Sequence, residues 1–116
     1  MSNLLTAEAM IAAYNAQNAD AYVEFMTDDA CEANYRGAVV REGKEGTRAG
    51  LKAMFAQFPE NHVTIVERRA LGSYVVLTER VSRGTPADGS EIPAPFDVIA
   101  VYSFEGDKCS RVEFIR

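Results

Sequence analysis

The run from Tyr74 to Arg83 sets a glutamate and an arginine, Glu79 and Arg80, at the centre of a stretch otherwise rich in β-formers. Side chains alternate along a strand, so Val75, Leu77, Glu79 and Val81 share one face. Tyr74, Val76, Thr78, Arg80 and Ser82 share the other. An arginine beside a threonine and a serine suits a polar pocket floor, where a guanidinium holds a ligand oxygen. The plainer reading of the same run is a surface strand with an exposed charge pair. Other reactive side chains are sparse. His62 is the only histidine, and Cys31 and Cys109 stand far apart with no CxxC spacing. A histidine-rich metal site is thereby excluded, and both cysteines read as small residues filling strands. Asp28-Asp29 reads as the turn at a helix end, since no further carboxylates are spaced for coordination. Neither GxGxxG nor GxxxxGK[ST] occurs, so the nucleotide-binding signatures are missing and no metal or cofactor is expected.

Composition narrows the partners. The chain has 116 residues, enough for one domain with a real core. Hydrophobic residues make up 47% and charged residues 25%, an ordinary globular balance. A net charge of −5 argues against nucleic acid, which requires a basic face. No run approaches the ~18 apolar residues of a membrane span. The first residues, Met1 to Thr6, lack the basic start and apolar stretch of a secretory signal, so a cytoplasmic location is expected.

The elements that must position these side chains follow from periodicity. Thr6 caps a first helix in which Met10, Ala13, Tyr14 and Gln17 recur at helical spacing. Asn18 or Asp20 caps a short second helix carrying Tyr22, Phe25 and Met26. Ala30 to Arg36 reads as a strand, Ala38 to Arg41 as a short one, and Glu42 to Gly46 as a charged turn. Thr47 caps a third helix with Leu51, Met54, Phe55 and Phe58 on its buried stripe, ended by Pro59. Strands then follow over 62–71, 74–83, 96–104 and 109–115. Between the second and third of these lies dense turn chemistry from Gly84 to Ser90. Helices first and antiparallel strands after make an α+β fold: a cone-shaped curved sheet wrapped around three helices from the N-terminal half.

That order of elements resembles the nuclear-transport-factor-2-like superfamily, and within it the SnoaL-like and ketosteroid-isomerase-like proteins. The markers are the segment Ala13 to Tyr22, the Thr27-Asp28-Asp29-Ala30 approach to the first strand, the Gly46-containing approach to the third helix, and the hairpin Val101 to Lys108. The resemblance spans nearly the whole chain. It implies a homodimer joined through the sheet face and a deep pocket between sheet and helices for a small apolar ligand. It also implies positions for chemistry. Where the isomerase has its base, phenol and acid, this chain reads Asn34, Ala12 and Ala100, none of which can do those tasks.

A second branch, the limonene-epoxide hydrolases, resembles Thr78-Glu79-Arg80-Val81. Carried over, Arg80 matches that family's arginine, Asn34 its asparagine and Glu113 its water-activating aspartate. Ser82 replaces the proton-donating aspartate and Glu32 the tyrosine. The resemblance implies that Glu32, Asn34, Arg80, Ser82 and Glu113 converge on the pocket floor, with the guanidinium between two carboxylates. Glu113, Arg80 and Asn34 are then the catalytic candidates. Tyr14, Phe25, Phe55, Phe58, Val98 and Tyr102 are the expected pocket wall beside Glu32 and Ser82. Two readings stand: a cofactor-free isomerase or hydrolase of an apolar, oxygen-bearing compound, and a binding or dimerisation module whose chemistry is lost. A fold of this kind does not by itself choose between them.

Overall fold

A computed structural model describes residues 1–116. Three helices, α1 (Asn3–Asn15), α2 (Ala19–Glu24) and α3 (Gly43–Gln57), lie in the N-terminal half with the strands β1 (Met26–Asn34) and β2 (Val39–Glu42). The strands β3 (His62–Leu71), β4 (Tyr74–Ser82), β5 (Phe96–Glu105) and β6 (Lys108–Ile115) complete the chain. The fold is α+β, a curved and unclosed six-stranded sheet in the order β2-β1-β6-β5-β4-β3. All neighbours are antiparallel except β1 and β6, which run parallel. The chain reaches that parallel pairing only after the whole meander β3 to β6 has been laid down, so the sheet is mixed rather than purely antiparallel.

Helix ends are set by local hydrogen bonds. Ser2 caps α1, its Oγ accepting from Leu5 N at 3.1 Å, which starts the helix earlier than a Thr6 cap would. Asn18 caps α2 through Ala21 N at 3.0 Å, as its residue type predicts. Thr47 does not cap α3. It lies a turn inside that helix, fully buried, with its hydroxyl donating to Gly43 O at 2.9 Å. Gly43, at φ +72°, instead lets β2 turn directly into α3.

The alternation of β4 holds: Val75, Leu77, Glu79 and Val81 are buried, and Tyr74, Arg80 and Ser82 are exposed. On β5 the inward residues are Val98, Ala100, Tyr102 and Phe104, and on β6 Cys109 and Val112. These pack with Ala7, Met10 and Ile11 of α1, Tyr22 and Val23 of α2, and Leu51 and Phe55 of α3 into one core. A register shift between Ile65 and Glu67 interrupts β3, so its alternation is not continuous along the strand. Beyond the shift Arg68 stands opposite Leu77, on the helix side, where its Nε lies 3.1 Å from Glu8 of α1. No helix is long and apolar enough to cross a membrane.

Candidate functional site

The inward face of the sheet and the helices above it surround a cavity of about 150 Å³. That is the size of a hole that accepts one benzene-sized ring. Its walls are mainly apolar, from Ile11, Leu51, Met54, Val63, Val81, Val98, Phe96 and Phe114. Polar side chains reach it in two groups, one deep and one near the end of β4.

The deep group consists of two carboxylates, each held by a tyrosine. Glu32 of β1 is 1% exposed and accepts from Tyr22 OH at 2.7 Å and from Arg41 Nη1 at 2.7 Å. Arg41 reaches it from β2, since Glu32 and Arg41 are register partners across the β1–β2 pair. Glu79 of β4 is 3% exposed and accepts from Tyr102 OH of β5 at 2.7 Å. It has no cationic partner. Burial pushes its carboxyl from the ordinary 4.5 up to about 7; the Tyr102 bond pulls it back and the charge of Glu32 pushes the same way as burial. Both phenols are driven well above the usual tyrosine range, chiefly by burial and then by the adjacent glutamates, so each remains a donor. Glu79 Oε1 makes no hydrogen bond, and the side chain lines the cavity.

The second group centres on Arg83. Its Nη1 contacts Asn61 Oδ1 at 2.9 Å, Tyr14 OH at 3.3 Å and Met54 Sδ at 3.3 Å. The guanidinium also stands over the rings of Phe58 and Phe96, at 5.6 and 5.4 Å from their centroids. Tyr14 is fixed from two sides. Asn15, its neighbour, clips α1 to the edge strand β3 by donating to Val63 O at 2.9 Å and accepting from Val63 N at 2.8 Å. Phe55 meets the Tyr14 ring edge-on at 5.2 Å. Burial raises the phenol above its ordinary pKa, with Arg83 acting in the opposite direction.

Of the residues singled out in the sequence, Glu32, Asn34, Tyr14, Val98 and Tyr102 line the cavity, with Asn34 exposed at its mouth. Arg80, Ser82 and Glu113 do not join them. They occupy the other face of the sheet, because they are out of phase with the buried Glu79, Val81 and Val112. Arg80 is exposed and forks onto Asp97, its cross-strand partner, at 2.9 and 3.2 Å, and Glu113 lies 3.5 Å from Arg111. Arg80 thus pairs at the surface with Asp97 and not with Glu79, which is buried on the opposite face. Phe25 packs against the core without reaching the cavity, while Phe55 and Phe58 stand behind Tyr14 and Arg83 rather than on the wall. The residues that sequence reasoning passed over are Glu79, Arg83, Tyr22 and Arg41. The signal for Glu79 was the strict alternation with Leu77 and Val81, which already set it on the apolar face. Ala12 is exposed on α1, and the phenol that α1 turns to the cavity is that of Tyr14.

The profile of the SnoaL-like domain matches residues 7–112. The chain belongs to the SnoaL-like domain family. An uncharacterised cystatin-fold protein from Novosphingobium aromaticivorans is 69% identical, with a TM-score of 0.98 over 100% of this chain and 99% of that one. A putative SnoaL-like polyketide cyclase from Jannaschia is 19% identical, with a TM-score of 0.76 over 97% and 83% of the two chains. An LEH-like epoxide hydrolase from M. tuberculosis is 17% identical, with a TM-score of 0.78 over 97% and 80%. At those identities the last two share the fold alone. No curated protein matches the sequence. Membership in the SnoaL-like family agrees with a small-molecule-binding or isomerase-like role and leaves the reaction to be argued from the site.

Proposed function

We propose that this SnoaL-like protein is an acid–base enzyme that moves a proton on a small, largely apolar, carbonyl-bearing compound, with Glu79 as the proton-transfer group. One observation carries the reading: a buried carboxyl with a pKa of about 7 and a free oxygen lines a ring-sized apolar cavity. As a carboxylate, Glu79 takes the proton from a C–H next to the carbonyl, and the C–H electron pair moves onto the carbonyl oxygen as an enolate. Tyr14, polarised by Arg83 at 3.3 Å, offers its O–H to that oxygen. Glu79 then returns its proton to carbon, at the same or a conjugated position, and the side chain ends as it began. Glu32 is already engaged by Arg41 and Tyr22 and is not the reacting group in this proposal. In this proposal the enzyme is a homodimer joined through the outer face of the sheet.

The rival reading, a binding module without chemistry, rests on the fact that Tyr102 and Tyr22 already satisfy one oxygen of each glutamate. Deuterium exchange separates the two. A panel of one-ring ketones is incubated in D2O with the wild type and with Glu79→Gln, and loss of the α-proton signal is followed by NMR. The wild type is expected to speed exchange with a pH midpoint near 7, and Glu79→Gln to lose at least about a hundredfold, the usual share of a general base. Equal rates in both proteins, or rates no faster than buffer, leave the binding module.

A further inference from the structure

Four arginines are half-buried: Arg41, Arg48, Arg83 and Arg111. Three have a carboxylate within reach: Arg41 meets Glu32 at 2.7 Å, Arg48 meets Glu45 at 3.0 Å, and Arg111 meets Glu113 at 3.5 Å. Arg83 has none, in a chain with 17 acidic residues to 12 basic ones. Its contacts are to a neutral amide, a phenol, a thioether and two aromatic faces. All the hydrogen bonds leave from Nη1, so Nε and Nη2 of the fork remain uncommitted. Removing a guanidinium from water without an anion costs free energy that neutral acceptors recover only in part.

Two further features lie in the same place. Arg116 stacks on the Phe96 ring at 3.9 Å, so two guanidiniums share one ring beside the cavity, and both line it. Asn61 is 2% exposed, and its Nδ2, beside the Tyr14 phenol, is buried without a well-formed partner. Donors are in excess and an acceptor with negative charge is wanting. The carboxylate of a ligand supplies both, because a guanidinium fork takes two carboxylate oxygens at once.

We infer that the ligand is a one-ring organic acid, its ring in the apolar cavity and its carboxylate on Arg83. The dimensions agree. Glu79 lies on β4 and Arg83 just past its end, four residues on, so their Cα atoms are at most roughly 13 Å apart, and both side chains line the cavity. A ring with a carboxylate at one end places its far atoms toward Glu79. Glu32 does not repel such a ligand strongly, because Arg41 sits on it at 2.7 Å. The inference rests on the cavity of the reading above but not on the proton transfer; the two together make the substrate a keto acid with one ring.

Benzoate and benzamide, nearly the same shape and differing in charge, are the probes. Their affinities are measured by calorimetry at about pH 6 for the wild type, Arg83→Met, Arg83→Lys and Glu79→Gln, with folding checked by circular dichroism. Benzoate is expected to bind the wild type at least about tenfold more tightly than benzamide. Arg83→Met should abolish that preference and Arg83→Lys keep part of it. Glu79→Gln should retain it, so that loss of proton exchange with benzoate binding intact separates failure of the chemistry from failure of the anion site. Equal affinity for the two probes in the wild type overturns the inference, a comparison that needs no variant to fold. So does a benzoate affinity unchanged in Arg83→Met, or no benzoate binding up to about 10 mM.

Discussion

At the scale of single residues, Glu79 carries the largest consequence, because its carboxyl is buried with a phenol and no cation. Its folded pKa of about 7 lies above the ordinary 4.5, so the folded state binds a proton that the unfolded state has released between those values. The stability associated with the protonated form is full below about pH 4.5, falls as pH rises, and is gone above about 7. Moving from 4.5 to about 7 corresponds to about 3 kcal/mol. Urea unfolding across pH 5 to 8 is therefore expected to show wild-type stability declining along that window. Glu79→Gln, which cannot ionise, should flatten that decline and be the more stable protein at the alkaline end. Tyr102→Phe removes the bond that favours the charged form, and should move the wild-type midpoint upward from 7. A wild-type profile that is flat or rising over the same range would show that Glu79 is not buried as described.

Elements decide which of these residues meet. The face containing Val75, Leu77, Glu79 and Val81 was legible in the sequence, because β4 keeps strict alternation from end to end. Arg80 is a charge among β-formers, yet its register places it opposite Asp97 on the outside. Resemblance to another branch of the superfamily suggested the residue type, while parity determined the face. Arg83 was harder to read, since it follows the last residue of β4 and its role depends on Asn61, Tyr14 and Phe96 from three distant segments. Likewise Arg41 looked like part of an isolated short strand. Its pairing with Glu32 follows from the β1–β2 register, which a shift between Glu32 and Ala33 makes irregular. Gly50 tests that packing. A Cβ there would lie 2.7 Å from Arg41 Nε and 3.2 Å from its Cγ, and Arg41 cannot swing freely while it is bonded to Glu32. Alanine gains up to about 1 kcal/mol of helix propensity over glycine, but overpacking costs about 1–3 kcal/mol. Gly50→Ala is expected to lower unfolding stability by about 1 kcal/mol net, read from the urea midpoint. A raised midpoint would mean that Arg41 is free to leave Glu32.

For the whole molecule, the asymmetry of the sheet matters most. All three helices cover one face, and the opposite face of β4, β5 and β6 has none. On it Val76 stands beside Val101, and Ile99 beside Ile115, an apolar strip at the middle of the sheet. Charged pairs flank the strip, Arg80 with Asp97 and Arg111 with Glu113. An apolar centre with a polar rim is the composition of a protein interface, and a sheet face presented to its own copy across a two-fold axis is self-complementary. A standard interface needs roughly 800 Å² from each partner, about an eighth of the 6367 Å² of surface on this chain. In the proposed homodimer the helices and the cavity stay on the outside of the pair, so assembly would not block ligand entry. Sedimentation equilibrium at micromolar concentration should then give about twice the 12.7 kDa of one chain. Ile99 is 39% exposed in the single chain, so a charge there leaves the fold intact while burying an unpaired carboxylate in the dimer. Ile99→Asp should shift the mass to that of one chain with unchanged circular dichroism. A wild type that sediments as a monomer, or an Ile99→Asp variant that remains dimeric, would place the interface elsewhere or remove it.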